Sequence, residues 1–223
     1  MLSNNEKLLM QIYNSLLGHF GPQEWWPAES KLEIIIGAIL TQAVAWRNVE
    51  KAINNLKNKN LIDAHKLLDI EEEELALLIK PALYNYQKAK KIKVFMNYLI
   101  DNYDGNLDLM FNNSLHKLRN ELLSIWGIGE ETADSILLYA GNYPIFVVDA
   151  YTKRIFYRVS LTSEKISYKE MQQFLQQNLQ PSVEVYNEYH ALIVSLGAVY
   201  CKKKNPLCNS CPIIKNCKFQ KGK

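Results

Sequence analysis

All four cysteines of the 223-residue chain lie in one short segment near its carboxyl end. The segment CKKKNPLCNSCPIIKNC, residues 201–217, has the pattern C-x6-C-x2-C-x5-C. Structural disulfides are rare in the cytosol, so we interpret the cysteines as metal ligands. Structural zinc commonly uses two short cysteine pairs, whereas an iron–sulfur cluster accepts four thiolates from one compact run. The spacing alone leaves zinc and [4Fe–4S] open for Cys201, Cys208, Cys211 and Cys217.

The same segment carries the positive charge of the chain. Residues 201–223 contain seven lysines and no acidic residue, and the rest of the chain has 19 basic and 23 acidic residues. A basic patch of this kind is typical of a protein that binds a polyanion such as nucleic acid, although a solvated terminus has the same composition.

A second candidate site lies in LLSIWGIGEETADSILLYAG, residues 122–141, where one predicted helix ends and another begins. Gly127 and Gly129 permit left-handed backbone dihedrals and a close approach to a surface, and Ile128 between them is expected to pack inward. The N–H groups of such a turn, with the start of the next helix, form an anion-binding site that holds a phosphate without reading a base. By itself the pattern is more often an ordinary helix–turn–helix corner.

Asp149 is the third candidate. It follows the apolar residues 146–148 and precedes a predicted helix that carries Lys153, Arg154 and Arg158. Aspartate at this position is a common N-cap. The segment alone does not distinguish an N-cap from a catalytic carboxylate.

The elements that must position these residues are helical nearly throughout. The apolar periodicity predicts about ten helices and no convincing strand pair. Ser30 and Glu33 form a capping-box pattern that favours a helix for SKLEIIIGAIL, and Asp69 with Glu72 repeats the pattern before a helix that Pro81 ends. No apolar run has the length of a membrane span, and no basic region followed by an apolar run begins the chain. We therefore expect a cytoplasmic protein with no membrane partner.

In their order, these motifs resemble those of the endonuclease III-like DNA glycosylases, the helix-hairpin-helix superfamily of base-excision repair enzymes. A G-I-G hairpin is followed by V-D at a helix start and then by the cysteine run. The resemblance extends to ILTQAVAWRNVEKA (39–52) and to LYNYQKAKKI (83–92), which has one extra residue before Lys88. It covers nearly the whole chain.

The resemblance implies an all-α, two-lobed fold. The expected six-helix lobe spans 23–143 and contains the hairpin, and the expected second lobe combines 1–22 with 144–223 and holds the cluster. It also implies a monomer that binds double-stranded DNA with a damaged base. The implied cofactor is a structural [4Fe–4S] cluster on the four cysteines. The cluster loop would present three positive charges to DNA phosphates, those of Lys202, Lys203 and Lys204.

A glycosylase must extrude its target base from the stack before cutting the bond to the sugar. By resemblance, Gln42 fills the resulting gap, with Leu83 on the opposite side, while the hairpin of Gly127, Ile128 and Gly129 contacts DNA. Asp149 then faces the extruded sugar. Its charge either stabilises the developing oxocarbenium ion or activates water, and the sequence leaves both roles open.

One position departs from the family pattern. Members that combine glycosylase and strand-cleaving lyase activity carry a nucleophilic lysine two residues after the second glycine of the hairpin. Here that position is Glu131. A carboxylate cannot form the Schiff base that lyase chemistry needs, so a monofunctional, water-attacking glycosylase is expected.

The segment EWWPAESKLE, residues 24–33, suggests the substrate. Trp25, Trp26, Pro27 and Trp46 resemble the aromatic pocket of the bacterial 3-methyladenine glycosylase branch, and Glu131 is expected beside them. A cationic alkylated purine stacks well on an electron-rich indole. The alternative for the tryptophans is a purely structural role.

Two other functions compete with an alkylpurine glycosylase. One is an endonuclease III-type glycosylase and AP lyase for oxidised pyrimidines, which Glu131 disfavours. The other is a non-catalytic DNA-binding module, which the presence of Asp149 disfavours. Release of base from alkylated and oxidised duplexes distinguishes the three.

Overall fold

The computed structural model describes residues 3–219, and within that range the protein is all-helical without a strand, as predicted. Twelve α-helices lie in these residues. The periodicity predicts about ten, because α4 and α7 have only six and five residues and are too short for a periodic signal. In chain order, α1–α12 are Asn4–Phe20, Lys31–Leu40, Trp46–Asn58, Ala64–Asp69, Glu72–Leu78, Asn85–Tyr103, Leu107–Phe111, Leu115–Ser124, Glu130–Ser135, Ala150–Val159, Tyr168–Asn178 and Val183–Val199.

The chain divides into two compact units. One is Trp26–Tyr143, and the other combines Met1–Trp25 with Pro144–Lys223, of which 3–25 and 144–219 are described. The lobes expected from the sequence have their boundaries after residues 22 and 143. Nowhere in the described range is a helix both long enough and apolar enough for a membrane span.

Helix α2 is the central helix of the Trp26–Tyr143 unit. It packs against α3, α6, α9 and the π-helical segment Ile136–Ala140 that continues α9. Apolar side chains on all its faces are therefore buried, and Ile35, Ile36 and Ile39 are each 0% exposed. This burial explains why its sequence is apolar on every face and lacks the amphipathic pattern of a surface helix. The predicted start of the helix is confirmed, because the Ser30 hydroxyl accepts the N–H of Glu33 at 3.2 Å.

The capping box predicted at Asp69 and Glu72 is wrong. Asp69 is the last residue of α4, and α5 begins after Glu71, whose side chain makes no capping hydrogen bond. Ile70 and Glu71 have extended ψ angles of 142° and 137° and separate two short helices. The helix does end near Pro81, since Leu78 is the last residue of α5 and a 3-10 turn follows at Lys80–Ala82.

Helix α12 is central in the other unit. It packs against α1 and α10, and its Tyr189 is fully buried, with the hydroxyl donating to the carbonyl of Leu9 in α1 at 2.8 Å. Phe146 precedes α10 and packs edge-on against Tyr186 and Tyr189. The core of this unit therefore fixes the start of α10, where Asp149 lies.

Candidate functional site

The hairpin joins α8 to α9 through a tight turn at 125–129. Gly127 has a φ of +88°, which favours glycine, and a Cβ atom there would lie 2.5 Å from Cγ of Lys91. Ile128 is buried as predicted, at 5% exposed. A Cβ atom on Gly129 would meet nothing within 4 Å, so its backbone is open to the surface. The turn therefore requires glycine at Gly127 and leaves the backbone of Gly129 accessible to a ligand.

A buried ion pair links the two helices of the hairpin. Arg119 of α8 donates two hydrogen bonds to the carboxylate of Asp134 of α9, at 2.7 and 3.1 Å, and the Asp134 side chain is 0% exposed. Such a two-point contact fixes both distance and orientation. Sequence reasoning missed this pair, and the only signal was one charge of each sign on the predicted flanking helices.

Gln42 lies in the turn between α2 and α3 and is hydrogen-bonded to the hairpin. Its amide nitrogen donates to the carbonyl of Gly127 at 3.1 Å and to the hydroxyl of Thr132 at 2.9 Å. Its amide oxygen accepts a hydrogen bond from Nζ of Lys91 at 2.5 Å. The structure therefore brings Gln42 and the hairpin together, although the sequence presents them as separate motifs.

A second exposed loop lies between α5 and α6. Leu83 and Tyr84 have positive φ angles of 55° and 46°, and their side chains are 52% and 65% exposed. The buried Lys88 holds this loop beside the end of α2, because its Nζ donates to the carbonyls of Ala82 and Leu40 at 2.7 and 2.8 Å. Burial, with a smaller effect of Lys91, lowers the pKa of Lys88 to about 8. One ammonium group thus joins the end of α2, just before Gln42, to the 3-10 turn just before Leu83.

Three of the five residues expected in the base pocket line one cavity of about 410 Å³. Trp26 and Trp46 meet edge to face, with ring centroids 5.1 Å apart, and Pro27 adjoins them. Trp26 also packs against the backbone of Gly37 in α2, where a Cβ atom would lie 3.0 Å from its ring, and against Tyr139. The remaining lining residues are Glu33, Arg47, Glu50, Lys51, Ile53 and Asn54.

Trp25 and Glu131 do not line this cavity. Trp25 is half-buried and belongs to the other unit, and Glu131 is exposed in the first turn of α9. An acidic residue at that position interacts favourably with the positive end of the helix dipole. Sequence reasoning missed Glu33 and Glu50, because nothing in the local pattern of α2 and α3 shows which side chains share a cavity.

Asp149 is the N-cap of α10. Its Oδ1 accepts hydrogen bonds from both the N–H and the hydroxyl of Thr152, each at 2.7 Å, and the Thr152 hydroxyl accepts the N–H of Asp149 at 3.4 Å. This capping box engages one carboxylate oxygen. Oδ2 lies 3.9 Å from Nε2 of His190. The carboxylate therefore has a fixed orientation, which serves a helix cap and a catalytic group equally well.

His190 is the other titratable group at this carboxylate. It lies on α12 and is 7% exposed. Burial lowers the pKa of its imidazole, and the Asp149 carboxylate opposes that shift. Sequence reasoning missed His190, because a single histidine on a long apolar helix has no distinguishing pattern.

The four cysteines line one cavity next to α10. Burial raises the pKa of the Cys211 and Cys217 thiols, and the neighbouring cysteine thiols add to the rise. Across residues 3–219, no three histidine, cysteine, aspartate or glutamate side chains converge as the ligands of one metal ion do. Zinc and iron–sulfur clusters both take cysteine thiolates as ligands. The four thiols share one cavity and are the donor type that a [4Fe–4S] cluster takes, so these residues fit such a group.

Two arginines of α10 fix the backbone of the cysteine loop. Nε of Arg154 donates to the carbonyl of Cys201 at 2.9 Å, and Arg158 donates to the carbonyls of Lys202 and Lys203 at 2.8 and 3.3 Å. The side chains of these lysines and of Lys204 are exposed. The loop therefore presents three ammonium groups from an ordered backbone. The last lysines of the expected basic tail, Lys221 and Lys223, lie outside the described residues.

Comparison with known proteins places these features in context. A profile of the HhH-GPD superfamily of base excision DNA repair proteins matches residues 36–181. MJ1434 of Methanocaldococcus jannaschii, provisionally named a DNA repair glycosylase, is 47% identical over 97% of this chain and 99% of its own. The endonuclease III of Rickettsia felis is 30% identical over 94% of this chain and 95% of its own.

A solved structure gives the corresponding similarity in three dimensions. The H. pylori 3-methyladenine DNA glycosylase MagIII, crystallised with 1,N6-ethenoadenine, has a TM-score of 0.76 and 26% identity. The match covers 87% of this chain and 97% of that chain. The expected all-α glycosylase fold is confirmed.

Proposed function

Since the chain belongs to the HhH-GPD superfamily and is a base excision repair DNA glycosylase of that type, we propose that it is a monofunctional enzyme. Its reaction would be hydrolysis of the N-glycosidic bond of a flipped alkylated purine such as 3-methyladenine. Its product would be an intact strand with an abasic site.

The observation that carries this proposal is the aromatic cavity. Trp26 and Trp46 meet at right angles in a space of about 410 Å³, which is ample for a purine base. The lining includes two carboxylates, of Glu33 and Glu50, and two cations, so its formal charges balance. The preference for a cationic base would therefore come from the electron-rich indole rings. The similarity to a 3-methyladenine DNA glycosylase supports the same substrate class.

Asp149 would serve the chemistry at the sugar. Its carboxylate is held by Thr152, so its charge is positioned before any substrate binds. A fixed negative charge lowers the barrier to a developing oxocarbenium ion, and the same group can accept a proton from the attacking water. The side chain that replaces the lyase lysine is a carboxylate, Glu131, which supports hydrolysis without strand cleavage.

The cysteine loop would hold a structural [4Fe–4S] cluster. Its ligands would be Cys201, Cys208, Cys211 and Cys217, which share one cavity. Arg154 and Arg158 bond the carbonyls of this loop, and exposed lysines follow the first ligand. The cluster would thus order a phosphate-binding loop, while Gln42 and the hairpin would contact the DNA from the Trp26–Tyr143 unit.

A base-release assay tests this function. Duplexes with 3-methyladenine, with an oxidised pyrimidine and without damage are incubated with excess enzyme, and the released bases are identified by chromatography. We expect release from the alkylated duplex only, with the strand broken after alkali treatment but not before. Trp46→Ala should reduce this release while binding of undamaged duplex persists. A clear fall in melting temperature that accompanies the loss of base release would instead indicate that Trp46 is a core residue.

The endonuclease III-type activity remains the alternative, because an endonuclease III shares 30% identity over nearly the whole chain. Release of an oxidised pyrimidine with strand cleavage in the absence of alkali would establish it and refute our proposal. No release from any duplex, together with tight DNA binding, would indicate a non-catalytic module.

A further inference from the structure

An exposed tryptophan lies directly beside the hairpin. Trp126 is 53% exposed, whereas its neighbour Ile125 is 6% exposed. Tryptophan is highly buried on average, so an indole presented to solvent at a turn calls for an explanation. It is outside the aromatic cavity, and neither the proposed base pocket nor the proposed chemistry uses it.

A lysine of α6 accompanies this indole. Nζ of Lys90 lies 5.1 Å from the centroid of the Trp126 ring, and the Lys90 side chain is exposed. The next residue, Lys91, runs under Gly127 and bonds Gln42, so this turn of α6 lies against the hairpin. Tyr86, four residues before Lys90, lies on the same face of α6 and is 54% exposed. Aromatic and basic side chains therefore alternate on a surface next to the open backbone of Gly129.

The chemistry of this surface fits a nucleic-acid strand. Aromatic faces stack on bases or pack against sugars, and interleaved ammonium groups track the phosphates. Glu130, which follows the hairpin in the first turn of α9, lies 3.8 Å from Arg119, so its charge is partly neutralised. A purely intramolecular cation–π pair at an exposed site contributes only about 0.5–1 kcal/mol, which is a weak reason to expose an indole.

We propose that Trp126 and Lys90 form a DNA contact of their own, in which the indole packs on a sugar or base next to the hairpin and the ammonium binds the adjoining phosphate. This inference rests on the proposed function only in taking DNA as the ligand. It adds a contact that neither the hairpin backbone nor Gln42 supplies.

Binding of undamaged, fluorescein-labelled duplex by the full-length protein tests the proposal. Trp126→Ala should weaken binding roughly tenfold, within the range for loss of one stacking aromatic, and Trp126→Phe should retain most of the affinity. Lys90→Gln should weaken binding and lower the slope of log Kd against log salt by about one. The double variant should lose less than the two single losses combined, since the side chains are in contact.

Matched controls are available in the same unit. Leu109 is 53% exposed on α7, and Lys59 is exposed after α3, so Leu109→Ala and Lys59→Gln should leave the affinity unchanged. The melting temperature of Trp126→Ala should match that of the unmodified protein. At saturating enzyme, single-turnover base release should also persist in this variant, because the contact is separate from the chemistry.

Three results would overturn the inference. The first is Trp126→Ala binding within about twofold of the unmodified protein at low salt. The second is an unchanged salt slope in Lys90→Gln. The third is sedimentation showing a dimer that Trp126→Ala dissociates without loss of DNA affinity, which would make the surface a self-association site. Failure of the unmodified protein to bind duplex would overturn both the proposed function and this inference, whereas the three results above leave the proposed function intact, so the two failures are distinguishable.

Discussion

Replacing Asp149 separates its role as a helix cap from its proposed role in base release. The cap depends on Oδ1, which accepts two hydrogen bonds of 2.7 Å from Thr152. Asparagine and serine are N-caps about as good as aspartate, so Asp149→Asn and Asp149→Ser keep an acceptor at this position. Only the negative charge at the start of α10 is lost, which costs about 0.3–1 kcal/mol.

The expected effects on stability and rate differ widely. A loss of up to about 1 kcal/mol corresponds to a fall in melting temperature of about 4 °C or less for a chain of this size. Loss of a key electrostatic or acid–base group slows the chemical step by about 100-fold or more, which is about 2.7 kcal/mol in the barrier. Since proteins are typically stable by about 5–15 kcal/mol, unfolding of the variants cannot account for such a rate loss.

The assay is single-turnover release of an alkylated base, run beside thermal melting and duplex binding. Ser167→Ala is the matched control, because Ser167 forms the capping box of α11 in the same unit. It should cost about 0.5–2 kcal/mol of stability and leave the rate unchanged. Release by Asp149→Asn or Asp149→Ser at close to the normal rate would refute the reasoning, and Asp149 would then be a cap alone.

Three further predictions follow from the structure. The unmodified protein should form no covalent adduct with DNA under borohydride, while Glu131→Lys should give weak trapping; efficient trapping by the unmodified protein would contradict hydrolysis. Protein purified without oxygen should be brown and contain about four iron and four sulfide ions per chain, whereas stoichiometric zinc would exclude the cluster. Cys208→Ser should weaken DNA binding more than it slows the chemical step. Burial lowers the pKa of His190 from 6.5, so below that pH the unfolded chain takes up a proton that the folded chain does not. The free energy of unfolding should therefore fall as the pH drops from about 7 towards 5, and His190→Gln should reduce the accompanying fall in melting temperature. If the melting temperature of this variant fell with pH as steeply as that of the unmodified protein, His190 would not be the source of the effect.

Much of the local structure follows from short-range patterns. The N-cap at Ser30, the inward packing of Ile128 and the N-cap at Asp149 depend on residues within three or four positions of one another, and such contacts are visible in the sequence. The same local signals also fail locally. Asp69 and Glu72 match a capping box, yet α4 ends where the box would begin, because both flanking helices are short and held by packing.

The sequence by itself predicted the helical fold, from its apolar periodicity and from the family-typical order of hairpin, aspartate and cysteines. Tertiary structure alone decided which of these residues share a site. Gln42 bonds Gly127 and Thr132 across 85 and 90 residues of chain, and Trp26 and Trp46 share a cavity that excludes Trp25. The physical reason is range: helical periodicity reports which face of an element is buried, but not the partner that buries it. Such partners are chosen only when the elements pack.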